Sequence, residues 1–173
     1  LARPGRRRIY SNAGFEVLGE TLTGACGLAP ATYLTEAVLD PLAMASTRLD
    51  GSPAHAATST VADLARWVGE LLAPSLLAPE TVERATTVAF PGLDGLVPGF
   101  GKQTPNDWGL GFEIKGSKSP HWTAPDGDPA TFGHFGRSGT FVWIDPRRRR
   151  SLIVLTDRDF GRWATERWPV LST

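Results

Sequence analysis

Two apolar runs flank a charged turn near the end of this chain, and they restrict its fold more than any other feature. Thr140-Phe141-Val142-Trp143-Ile144 and Ser151-Leu152-Ile153-Val154-Leu155-Thr156 are rich in β-branched and aromatic residues, with the polar Asp145-Pro146-Arg147-Arg148-Arg149-Arg150 between them. Such a pair reads as an antiparallel hairpin. Both runs are apolar at odd and even positions, so something must cover each face of the hairpin. A helix over about 160–168 can cover one face, because Phe160, Trp163, Ala164 and Trp168 share a stripe. Trp108 to Lys115 is a further strand candidate, and His134 stands among glycines at the expected start of another.

The first half of the chain has the helical period instead. Phe15, Leu18, Leu22 and Ala25 predict a helix over 13–25, capped by Ser11 or Asn12 and ended by Gly24 or Gly27. Leu34, Ala37 and Val38 predict a second over about 31–40, stopped by Pro41. Thr60 and Asp63 approximate a capping box ahead of the apolar face Val61, Leu64, Ala65, Val68, Leu71 and Leu72. Pro79 opens a short fourth helix, about 79–87. Residues 91–107, dense in Gly and Pro, read as a long loop, and 116–131 as a second one; both are expected to rim a pocket. The fold class is therefore α+β: a helical subdomain with its rim loop over 1–105, then an antiparallel sheet over 106–173 with the last helix packed on it.

Composition narrows the function. Of 173 residues 41% are apolar, enough for a core. Lys plus Arg is 18 and Asp plus Glu is 18. Zero net charge argues against nucleic acid as a partner, and leaves Arg6 to Arg8 and Arg147 to Arg150 as solvated runs. No apolar run approaches the roughly 20 residues of a membrane-spanning helix. Cys26 is the single cysteine, so no internal disulfide forms. His55, His121 and His134 are scattered and carry no metal-ligand spacing, so neither metal nor cofactor is expected. The opening Leu1-Ala2-Arg3 has no apolar stretch behind its charges and is not a signal peptide; an N-terminal segment is expected to precede it.

Three groups of residues could carry chemistry. Tyr10 and Asn12 lie just ahead of the first helix, where the plainer role is a cap; a phenol acting as a base needs a nearby cation, since its ordinary pKa is about 10. His134-Phe135-Gly136-Arg137 sets an imidazole among small residues, where backbone N–H groups can polarise a carbonyl. Ser138 in Gly136-Arg137-Ser138-Gly139-Thr140 departs from the G-x-S-x-G elbow, because Thr140 stands where the final glycine is needed.

Taken together, the motifs resemble a family. Tyr10-Ser11-Asn12 through Gly19 is similar to the second signature of the serine β-lactamase-like family, which includes class C β-lactamases, DD-peptidases and related esterases. Asp40-Pro41-Leu42-Ala43-Met44 resembles its Pro-Leu-Gly-Met segment, with Ala43 in place of the usual glycine. Ser59 to Arg66, Trp108-Gly109-Leu110-Gly111-Phe112, and His134-Phe135-Gly136 continuing to Asp145-Pro146 resemble further family segments in the family's order. The resemblance implies an incomplete β-lactamase/transpeptidase-like fold and a small-molecule substrate: a β-lactam, a peptide or an ester. It implies that Tyr10 is a general base or part of one, that Asn12 binds the substrate amide or a catalytic lysine, and that His134 stands where many relatives have lysine. It also makes Gly136 and the backbone N–H of Arg137 part of the substrate site, the latter as an oxyanion donor. Tyr10 and His134 are then expected to serve one cleft.

One signature is missing. The family's Ser-x-x-Lys carries the nucleophile, and residues three before Lys102, Lys115 and Lys118 are Gly99, Phe112 and Lys115. The motif is expected upstream of Leu1, on a companion segment. Without it the chain should be catalytically incomplete, Tyr10 should remain a neutral phenol, and apolar surface on 140–144 and 152–155 should be exposed, leaving the isolated chain fragile. The rival reading is a non-catalytic binding module that retains the fold.

Overall fold

The computed structural model describes residues 3–173, so Leu1 and its neighbour lie outside the described residues. The chain divides into two units: Tyr10–Leu77, and a second built from residues 3–9 together with Ala78–Thr173. The helix at 79–86 and the 87–105 stretch, expected with the helices, thus belong with the sheet.

Unit 10–77 is helical. Its first helix, α1, spans Asn12–Cys26; Ser11 caps it, its Oγ accepting from the Ala13 N–H, and Gly27 closes it at φ 73° with its N–H on Thr23 O. The expected stripe is only half covered, for Phe15 and Leu22 are partly buried while Leu18 is exposed. The buried position is Gly19, where a Cβ would lie 2.9 Å from Pro53 Cγ and 3.3 Å from Pro30 Cγ. Glycine lets the two prolines approach the helix backbone. The second helix, α2 (Pro30–Leu34), widens into a π-helical turn at Thr35–Leu39 before Pro41 ends it. A two-residue ladder pairs β1 (Arg48–Leu49) with β2 (Ala57–Thr58). Next comes α3 (Val61–Leu72), whose cap Thr60 accepts from the Asp63 N–H. Asp63 does not complete the capping box. Its buried carboxylate instead accepts from the Ser46 N–H and the Thr47 hydroxyl, both at 2.8 Å, tying the preceding loop to α3.

Ala43, in the segment where relatives carry glycine, has φ 54°. A Cβ in this left-handed region costs about 1 kcal/mol. Ala43→Gly is therefore expected to raise stability by roughly 0.5 kcal/mol after the extra freedom of glycine in the unfolded chain is subtracted. The urea midpoint would report it, and an unchanged or lower midpoint would contradict the strain.

The other unit opens, after residues 3–9, with α4 (Pro79–Thr86). The stretch 91–107 is not simply a loop: it folds into a hairpin of β3 (Gly95–Val97) and β4 (Gly101–Gln103). Gly99 and Gly101, at φ 77° and 82°, make the turn, and Val97 and Phe100 enter the core. The glycines that signalled a loop are here turn residues of a short ladder. An antiparallel four-stranded sheet follows in the order β5 (Glu113–Ile114), β6 (Phe132–Phe135), β7 (Phe141–Asp145), β8 (Arg150–Val154). Glu113 pairs with Gly133, which pairs with Trp143, which pairs with Leu152.

The final helix, α5 (Arg162–Leu171), covers the sheet face that presents Phe135 and Phe141. Ala164 and Trp168 are fully buried there, and the Trp168 ring lies 4.9 Å from Phe141 and 5.6 Å from Phe135. The α+β architecture, with its C-terminal helix on an antiparallel sheet, is as the sequence predicts. The expected exposure of 140–144 is not observed: Phe141, Trp143 and Ile144 are buried. Only the outer strand β8 is half covered, and Leu155 beyond it is exposed. The second expected rim loop, 116–131, is partly interior, with Lys118, His121, Trp122 and Thr123 buried.

The arginine runs are not simply solvated either. Arg8 donates to Asn106 O at 2.9 Å and Ala89 O at 2.6 Å. The buried Asp145 carboxylate accepts the Arg147 and Arg148 N–H groups and pairs with the Arg148 and Arg150 guanidinia, so this charged turn is capped by its own aspartate. Among the described residues no helix is long and apolar enough to cross a membrane.

Candidate active site

His134 is the third residue of the four-residue β6, rather than the head of a strand as the sequence suggested. Its ladder partner is Val142, and the Trp108 ring meets the imidazole nearly edge-on, 5.6 Å between centroids. The strand ends one residue later, and Gly136 to Gly139 form the turn into β7, with the Gly136 N–H on Thr140 O and the Gly139 N–H on Gly136 O. Arg137 is exposed in that turn, its carbonyl accepting from the Phe160 N–H at 2.7 Å. Its own N–H makes no hydrogen bond among the described residues. Ser138 Oγ shares a hydrogen bond with Thr140 Oγ1 and has no histidine partner, so it lacks the surroundings of a nucleophile.

Tyr10 and Asn12 lie together at the start of the other unit, two residues apart around the cap of α1. Because Ser11 does the capping, Asn12 is released from that duty. Its exposed amide makes no hydrogen bond among the described residues. Partial burial raises the Tyr10 hydroxyl above the ordinary phenol range, so it is neutral near pH 7. The structure therefore gathers His134, Gly136 and Arg137 at one strand end, and Tyr10 with Asn12 at one helix start.

A charged cluster absent from the sequence reading sits beside β6. Glu113 is 2% exposed, and its carboxylate accepts from Trp122 Nε1 at 2.8 Å and His121 Nε2 at 3.2 Å, with Lys118 Nζ 3.4 Å away. The Thr123 N–H donates to His121 Nδ1, which leaves the ring proton on Nε2, facing Glu113. Burial drives the Glu113 carboxyl up, but the His121 hydrogen bond, the nearby positive charge and the Trp122 hydrogen bond outweigh it and hold it below the ordinary range. Burial drives Lys118 down despite Glu113. The one available signal was a glutamate inside the otherwise apolar Gly111-Phe112-Glu113-Ile114 run.

Burial also lowers both His121 and His134, with Glu113 opposing it in each case. Both imidazoles are held neutral, so as pH falls through about 6.5 the unfolded chain takes up protons before the folded one. Stability is expected to decline as pH falls below about 6.5, read as a falling denaturation midpoint; a midpoint that rises on mild acidification would contradict it. Among the described residues no three His, Cys, Asp or Glu side chains converge on a metal position.

Comparison with known proteins identifies the family and the fold. The structure superposes on a beta-lactamase from Mycobacterium bovis with TM-score 0.96 at 58% identity, covering 99% of this chain and 64% of that one. It superposes on simvastatin synthase from Aspergillus terreus with TM-score 0.75 at 16% identity, over 94% of this chain and 53% of that one. A beta-lactamase/D-alanine carboxypeptidase from Yersinia pestis gives 0.67 at 20% identity, over 99% and 54%. The last two likenesses concern the fold alone. The chain thus spans 64% of the length of the first relative and about half of the others. No curated protein matches the sequence. The beta-lactamase family model matches residues 1–171, and the chain belongs to the beta-lactamase family.

Proposed function

We infer that this chain supplies part of the substrate site of a serine hydrolase that works through an acyl-enzyme on an amide, β-lactam or ester carbonyl. The observation that carries the reading is the unpaired N–H of Arg137, which directly follows His134-Phe135-Gly136 on an exposed turn. A backbone donor held by a strand end, with no partner to give up, suits an oxyanion. The Asn12 amide, equally uncommitted, suits a substrate amide.

In this reading a serine on a companion segment carrying Ser-x-x-Lys attacks the carbonyl carbon. The carbonyl π electrons move onto oxygen, and the Arg137 N–H donates a hydrogen bond to the oxyanion. The serine proton passes by way of Tyr10 to the leaving group as the carbonyl–heteroatom bond breaks. Water then repeats the attack on the acyl-serine and frees the acid. Tyr10 as a neutral phenol cannot start this sequence; a lysine ammonium beside it would lower its pKa and make it competent. His134 enters as a neutral imidazole, so it would orient the substrate by hydrogen bonding rather than by a fixed positive charge.

The test is to read the gene upstream of Leu1, express the protein it encodes, and assay nitrocefin and a short-chain p-nitrophenyl ester with mass spectrometry of the trapped adduct. An in-frame Ser-x-x-Lys and an acylated serine are expected. No adduct from either substrate with the motif present, or an encoded protein that lacks the motif, would favour the binding-module reading.

A further inference from the structure

We propose that Glu113 is a positioning residue for His134: its backbone and its buried side chain together hold both chain neighbours of the imidazole and the indole packed on it. The proposal rests on His134 being a site residue, and it names the device that holds it.

Three connections converge on the histidine. Along the ladder, Glu113 pairs with Gly133, the residue before His134. Through an isolated bridge, Glu113 also pairs with Trp108, whose ring packs on the imidazole at 5.6 Å. Through its carboxylate, Glu113 holds Trp122 Nε1 at 2.8 Å, and the Trp122 ring packs at 5.7 Å on Phe135, the residue after His134. Both chain neighbours of the imidazole and its aromatic floor therefore answer to one residue.

The ladder cannot do this unaided. β5 has only two residues, and a pairing that short specifies register weakly. A side-chain clamp supplies what the backbone lacks. Lys118 strengthens it: besides facing Glu113 at 3.4 Å, its Nζ donates to Asp107 O at 2.6 Å and to Ile114 O, so one ammonium gathers the strand and the segment carrying Trp108. His121 completes the clamp on Oε1, the carboxylate oxygen that Lys118 also faces, while Trp122 holds Oε2. A buried ion pair is seldom the cheapest way to fill a core, because two charges must be desolvated; an apolar pair of the same volume is often at least as stable. Its use here fits a need for one defined geometry.

The test reads the geometry directly, on the protein as its gene encodes it, by NMR of the His134 ring protons, assigned with His134→Gln. Trp108→Leu gives the position those resonances take without the indole. In Glu113→Gln, which leaves hydrogen-bonding capacity but no charge, the His134 resonances are expected to move toward the Trp108→Leu position, with circular dichroism unchanged. If Glu113→Gln does not fold, Glu113→Gln/Lys118→Met removes the stranded ammonium and is read the same way. A folded variant of either kind with His134 resonances unmoved would overturn the proposal, and so would failure of both to fold, which would make the cluster a requirement of folding alone. Activity is a separate readout. Displaced resonances with an undiminished acylation rate would uphold the clamp and refute a catalytic part for His134; displaced resonances with a reduced rate uphold both.

Discussion

Alanine at position 133 is expected to destabilise the sheet unit by about 3 kcal/mol, one of the largest effects available to a single methyl group in this chain. A Cβ at Gly133 would lie 2.0 Å from Val142 O and 2.9 Å from Trp143 Cα. Both are backbone atoms of the central strand β7, pinned on its far side by the β8 ladder and below by Trp168. Neither can swing aside as the end of a flexible side chain would. The strands must separate, and with them goes the pairing of His134 with Val142. Urea denaturation would measure the loss. The control is Gly24→Ala in the interior of α1, where a Cβ meets nothing within 4 Å. There the same substitution should stabilise by about 0.5–1 kcal/mol through helix propensity. Equal and small effects at the two positions would show that the close approach of β6 to β7 is not as described.

Tyr10→Phe, made in the complete enzyme, is expected to lower kcat by 10²- to 10⁴-fold, the range for removal of a general acid–base group. The change deletes one hydroxyl from a half-exposed ring, and a urea midpoint measured alongside separates lost chemistry from lost fold. KM should change little, because the phenol acts on the proton in flight rather than on bound substrate. The wild-type rate should also fall on the acid side, where the phenolate takes up a proton. A Tyr10→Phe variant within a few-fold of wild type would remove Tyr10 from the mechanism and leave Asn12 as the only candidate on its helix.

The readable parts of this molecule were those that local chemistry decides. Thr60, Ser11 and Gly27 marked helix ends because caps act over three or four residues. Trp163, Ala164 and Trp168 declared a buried helix face by their spacing. What stayed hidden depends on distant partners. Glycines at 95, 99 and 101 looked like a loop, but Gly95 and Gly99 admit other chain segments, Arg8 and Phe160, and Gly101 takes a positive φ in the turn. Leu18 looked buried and is exposed, since the tight contact on α1 is made at a glycine, which has no hydropathy to announce it. Tyr10, Asn12, His134, Gly136 and Arg137 were legible as a motif set through family resemblance. Glu113, His121 and Lys118 were not, because a buried charge becomes visible only with its partners.

Arg8 carries a consequence for how the protein is made. Its guanidinium reaches Asn106 O and Ala89 O, 98 and 81 positions further along, and its backbone pairs with Gly95. On the ribosome this residue emerges before the strands it joins and must wait for them. Unit 10–77, a separate compact unit, can form during that interval, while residues 3–9 await the hairpin at 95–103. Slowing synthesis between codons 77 and 106 should therefore lengthen the time for which residues 3–9 are open to a protease, and leave the helical unit untouched.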